Sequence, residues 1–206
     1  MAEKFAEIHR WMFNKIKYLD QWAMYLYNYL DESGADAKGL QEHVEQLFSS
    51  LPAGDIEEII DHENIHNWLS NQLNNADLRL AAALKESFEN DYLTLDQAKR
   101  LYYMAGERLN QAWEPQWVKP SYLYRNLTDA LVEGMPCDKA MTVTSHDENH
   151  IEWTVEPCTH RDNWDSVGLD ISIYYQLRDS WIKGFIEASE YEYISDHPTY
   201  RFERIQ

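Results

Sequence analysis

The chain predicts an α+β fold: an N-terminal helical half, residues 1–115, packed on a C-terminal αββαββ unit, residues 121–206, with a small antiparallel sheet. Three observations point there. Apolar residues recur at steps of three and four through the first half, the spacing of one helix face. Met141, Val143, Ile151, Trp153 and Val155 all fall on odd positions, the alternation of a strand pair. Between them, residues 114–120 contain Pro115 and Pro120 and read as a linker. The chain of 206 residues is long enough for the two parts to form one compact domain.

Each element follows from local pattern. Phe5, Ile8, Met12, Ile16, Leu19, Ala23, Leu26 and Leu30 mark a helix over 3–31, ended by Ser33-Gly34. Leu40, Val44, Leu47 and Phe48 mark a second over 37–50, and Leu51-Pro52-Ala53-Gly54 breaks the chain. From Asp55, an N-cap residue, a helical pattern runs to 90 with a bend or break at Asn74-Asn75. Thr94 or Asp96 caps the next helix, which runs to 113.

In the second half, Ser121 opens a helix ending at Gly134, with Leu123, Leu127, Leu131 and Val132 inside. Strands over 139–146 and 150–156 pair Val143 with Trp153, Thr142 with Thr154 and His146 with His150. Asp147-Glu148-Asn149 closes the hairpin, with Asn149 suited to a left-handed conformation. Asp165 or Ser166 opens a helix to 188, and strands over 191–195 and 200–205 flank Asp196-His197-Pro198.

Composition bounds the function. Thirty-six acids against 18 bases give a formal charge of −18, which repels phosphate backbones and anionic lipid and argues against nucleic-acid and membrane partners. The N-terminus lacks the basic start and apolar run of a signal peptide, and the two cysteines, Cys137 and Cys158, cannot build a disulfide framework, so a reducing cytoplasm is expected. Eight tryptophans and 14 tyrosines supply rigid aromatic area with polar tips, suited to half-wet pockets and interfaces. Phosphate-cradling glycine motifs and a Gly-x-Ser-x-Gly elbow are missing from the sequence, which sets aside nucleotide hydrolysis and serine-hydrolase chemistry.

Three constellations can carry chemistry. Ile8-His9-Arg10-Trp11 returns as Ile65-His66-Asn67-Trp68, and two such helices can set His9 and His66 on either side of one cavity with Trp11 and Trp68 as walls. Duplicated helix packing explains the same repeat. Its second copy extends to His62-Glu63-x-x-His66, which on a helix places two imidazoles one turn apart for zinc or iron, with Glu63 as general base. Glu86 is the candidate third ligand. On a continuous helix the twenty residues from His66 would carry it about 30 Å away, so that site needs a sharp break at Asn74-Asn75. His66 also shares a stripe with Ile59, Leu69 and Leu73, the signature of a structural core position. The third constellation is Cys158 with His160, a candidate nucleophile with His160 or Asp162 as assisting base.

The second half places Val155-Glu156-Pro157-Cys158-Thr159-His160 at the hairpin end, Trp181-x-x-Gly184-Phe185 late in the long helix, and residues 196–205 in the last turn and strand. In these features it resembles a known group, the vinyl-reductase-type small-molecule-binding domains and the aminothiazoline-carboxylate hydrolase-like proteins. The final-strand cysteine of that pattern is Tyr200 here, so a zinc site built of several thiolates does not carry over. The resemblance implies a cavity between helices and sheet that holds a small organic molecule. The expected function is therefore binding of a small aromatic or heterocyclic molecule, with His9, Trp11, Trp68 and Trp153 against it. A metal- or Cys-dependent hydrolase and a non-catalytic homodimer are the alternatives.

Overall fold

The structure is a computed structural model describing residues 5–113 and 119–205. Its elements run α1 (Glu7–Ser33), α2 (Ala37–Leu47), α3 (Ile56–Ile59), α4 (Ile65–Glu89), α5 (Leu95–Trp113), α6 (Pro120–Ala130), β1 (Met141–His146), β2 (His150–Val155), α7 (Arg161–Ser166), α8 (Ile171–Ile186), β3 (Tyr191–Asp196) and β4 (Thr199–Arg204). This is the α+β arrangement that the periodicities predict. Most of the linker over 114–120 lies outside the described residues.

Local chemistry sets the boundaries. The side chains of Asp36, Asp55 and Asp170 each accept a backbone N–H at the start of α2, α3 and α8. At α5, Thr94 and Gln97 satisfy each other's backbone donors as a capping box. Two predicted helices prove to be interrupted. The helix expected over 55–90 stops at Ile59, and Asp61 turns the chain by accepting the N–H of Glu63 before α4 begins. α4 then runs unbroken through Asn74-Asn75, because Leu69, Leu73, Ala76 and Leu80 keep one buried stripe across it. The helix expected over 165–188 is split into α7 and α8 at Gly168, whose φ is +80°.

The four strands are antiparallel in the order β1-β2-β4-β3. Thr142 faces Thr154 and Val143 faces Trp153, as the alternation predicts, but an irregularity between Val143 and Ser145 shifts the rest, so His146 faces Ile151 and not His150. Asn149 does not take the left-handed conformation; among described non-glycine residues Asp91 and Lys139 do.

α1 lies against α2, α4, α5 and α6, and the helices α6 and α8 pack on β2, β4 and β3. α5 and α8 meet along their length at Gly106 and Gly184. A Cβ on Gly106 would strike the Trp181 carbonyl, and one on Gly184 the Tyr103 carbonyl, so two backbones touch where side chains would hold them apart. Next to this contact Trp22 packs on Tyr102 and Trp181, with ring centroids 4.8 and 5.8 Å apart. No helix among the described residues is long and apolar enough to cross a membrane.

Candidate functional site

Four charges are buried where α4, α7, α8 and the segment after α6 converge. Asp77 of α4 accepts hydrogen bonds from His160 Nδ1 (2.9 Å), Trp164 Nε1 (3.0 Å) and Asn163 Nδ2 (2.9 Å). His160 Nε2 lies 2.9 Å from the Tyr174 hydroxyl and 3.7 Å from Glu133 Oε2. Glu133 Oε1 accepts from Arg178 Nε at 2.5 Å, and Arg178 Nη1 donates to the Tyr193 hydroxyl, which donates to Asp179. Burial opposes charge on His160, but the Asp77 and Glu133 carboxylates outweigh it and raise its pKa to about 10. Burial likewise opposes ionisation of Glu133, and Arg178 with His160 outweighs it, lowering its pKa to about 2. Two cations and two anions therefore balance in a dry interior. An imidazolium whose two nitrogens are both engaged is a tie between elements and not a base.

This corrects the Cys158–His160 pair. His160 faces Asp77, Glu133 and Tyr174, whereas Cys158 is half-buried beside Tyr175. Asp162 is exposed on α7. The His-Glu-x-x-His reading is also corrected, because His62 and Glu63 sit in the turn ahead of α4 and share no helix face with His66. His62 Nε2 is 2.8 Å from the Glu57 carbonyl, and Glu86 pairs with His43 at 3.0 Å, near the far end of an unbroken helix from His66. Among the described residues no three His, Cys, Asp or Glu side chains gather where a metal could sit. Trp153, fully buried, packs between Tyr124, Tyr200 and Phe202 in the sheet core, and Trp68 packs on Phe13; neither lines the hollows that hold Trp11 and His9.

Trp11 and His9 do face hollows, on two sides of one strap. Residues 133–141 form that strap between α6 and β1. Gly134 makes it possible: its φ is +77°, and a Cβ there would come within 2.7 Å of Thr159. Asp138 holds the turn by accepting the Met135 N–H at 2.8 Å. On one side lies a hollow of about 190 Å³ lined by His9, Met12, His66, Leu69 and Cys137, so the repeat does bring His9 and His66 to one cavity, without the tryptophans. Cys137 Sγ is 3.9 Å from His66 Nε2.

The other side holds the more demanding chemistry. A hollow of about 230 Å³ opens between α1, α6 and the strap, with Trp11, Tyr124 and Met141 as apolar walls. Trp11 is fixed by its indole N–H, which donates to Asp129 at 2.8 Å. Lys15 and Glu133 are its buried charged members, and Lys139 stands exposed at the mouth. Lys15 is only 5% exposed, yet its ammonium makes no hydrogen bond or ion pair among the described residues. It rests 4.3 Å from the centre of the Trp11 ring. Burial pulls its pKa down to about 8, only partly offset by Glu133 and Asp129. Glu133 Oε2 has no hydrogen bond among the described residues and pairs only with the His160 imidazolium, 3.7 Å away. A third concavity, about 490 Å³ between α1 and α5, is larger, but none of its lining residues is buried.

Lys15, Tyr124, Glu133 and Arg178 are absent from the sequence-based set. A signal existed for Lys15. It lies three residues after Met12 and four before Leu19, on the apolar face of α1 where a lysine is out of place. Glu133 similarly interrupts Leu131-Val132 and Met135. Comparison of the chain with protein-family models, curated proteins and solved structures finds no match.

Proposed function

We propose that the protein binds a small planar organic molecule in the hollow between α1, α6 and the 133–141 strap. The observation behind this reading is Lys15, a buried lysine whose ammonium makes no hydrogen bond or ion pair among the described residues, in an aromatic-walled cavity. A folded chain rarely leaves a buried charge unpartnered, and sites for ligands are where such groups concentrate. A volume of about 230 Å³ is below the usual drug-sized range of about 300–1,000 Å³, which favours a single-ring ligand. Trp11 and Tyr124 offer faces for it, and Lys15 offers a polar anchor. The position also suits the resemblance of the second half to small-molecule-binding domains, which implies a cavity between helices and sheet.

The test is a ligand-observed NMR screen with indole, phenol, benzamide and benzyl alcohol, run on the wild type and on Thr128→Trp. Thr128 lines the hollow from α6, and an indole there fills it. Binding that disappears in Thr128→Trp, with unfolding unchanged, supports the reading. Equal binding by both proteins, or none by the wild type, overturns it.

A further inference from the structure

We propose that Lys15 is an amine nucleophile that captures a small aryl aldehyde as an imine in this hollow, an inference that rests on the ligand-binding reading above. Four features of the hollow lead there. Lys15 Nζ has no acceptor among the described residues, so no hydrogen bond to them must be broken before it reacts. The neighbouring carboxylates are already engaged: Glu133 Oε1 with Arg178, and Asp129 Oδ1 with the Trp11 indole. The Trp11 face stabilises a cation at the nitrogen, which an imine retains when protonated. An anionic ligand would have to settle beside Glu133 and Asp129 in a chain of net charge −18, whereas a neutral carbonyl compound meets no such repulsion. Desolvation of the amine acts in the same direction, as in lysines that form Schiff bases.

The step balances. The ammonium releases a proton to solvent, and its lone pair forms a bond to the aldehyde carbon while the carbonyl π pair moves to oxygen. That oxygen takes the nitrogen's second proton, and the resulting hydroxyl leaves as water with one proton from solvent as the C=N bond forms. Ammonium and aldehyde become protonated imine and water, with no oxidant or reductant consumed. The product cation lies where the ammonium lay, over Trp11.

The experiment is reductive trapping of the full chain with benzaldehyde and cyanoborohydride at pH 7, followed by peptide mass mapping. A depressed pKa raises the neutral amine fraction by about two orders of magnitude, so Lys15 should be labelled at least about tenfold faster than the exposed Lys17, Lys38 and Lys183. Its rate should rise with pH to a midpoint near 8. Lys15→Arg keeps a cation over Trp11 but cannot form the imine. It should lose the fast label. Labelling of Lys15 no faster than the exposed lysines, with benzyl alcohol still bound, overturns the imine and leaves the ligand site standing. Failure of both benzyl alcohol and benzaldehyde to occupy the hollow overturns both.

Discussion

Lys15→Met should make the protein more stable at neutral pH. The ammonium is buried, and its pKa falls from 10.5 to about 8 in the folded state. At about 1.36 kcal/mol per unit, the folded chain at pH 7 carries a cost of about 3 kcal/mol for keeping that group charged. Methionine has similar length and no charge. It forfeits the contact with Trp11, worth about 1 kcal/mol, so the net gain is about 1–3 kcal/mol. In a chain of this size that is roughly 2–10 °C in melting temperature. The sign has a pH signature. Between about 8 and 10.5 the unfolded chain holds the proton and the folded chain does not, so the Lys15 contribution to wild-type stability rises with pH across that window and the variant's advantage shrinks to nothing. Urea unfolding of both proteins from pH 6.5 to 10.5 measures it. A variant less stable than wild type at pH 7, or a difference that stays constant with pH, refutes the reasoning.

Three further outcomes follow from the buried charges and the helix contact. Asp77→Asn removes the anion that holds His160, Trp164 and Asn163 together and leaves a buried imidazolium underpaired, so it should cost about 3–5 kcal/mol by chemical denaturation. Gly184→Ala forces a methyl group against the Tyr103 carbonyl, and thermal unfolding should show a loss of roughly 1–3 kcal/mol or more, with Ser180→Ala on the same helix as a mild control. The His160 contribution, from a raised pKa, is complete below pH 6.5 and is lost as pH rises to about 10; that of Glu133, from a lowered pKa, is complete above 4.5 and is lost as pH falls to about 2. In Lys15→Met, where no opposing gain intervenes, stability should therefore decline steadily above pH 6.5, and a flat alkaline profile would count against the ion knot.

How much of this was legible in the chain depended on the range of the cause. The α1 face, the β1–β2 register up to Val143 and the order of elements depend on residues a few positions apart, and periodicity reads them; the shift after Val143 it does not. The two missed helix breaks are also local but subtler, set by an Asp61 turn and by Gly168 inside patterns whose apolar spacing continues through. The metal reading failed because it assumed a helix across 62–66 and a break at Asn74-Asn75, and the chain does the reverse. His160 was read as a base beside Cys158, because its partner Asp77 lies 83 positions away and no local rule links them. Lys15 was visible as a charge on an apolar face. That it faces a hollow depends on the 133–141 strap, whose conformation requires the left-handed Gly134.

The most direct test of the ligand site is the amide and indole chemical-shift response of isotopically labelled protein on titration with benzyl alcohol. The account expects the largest shifts at the Trp11 indole N–H, Thr128, Gly134 and Lys139, around one hollow. Shifts confined to Tyr25, Leu101 and Met104 in the α1–α5 groove, or a saturating titration that leaves the Trp11 indole unmoved, would contradict it.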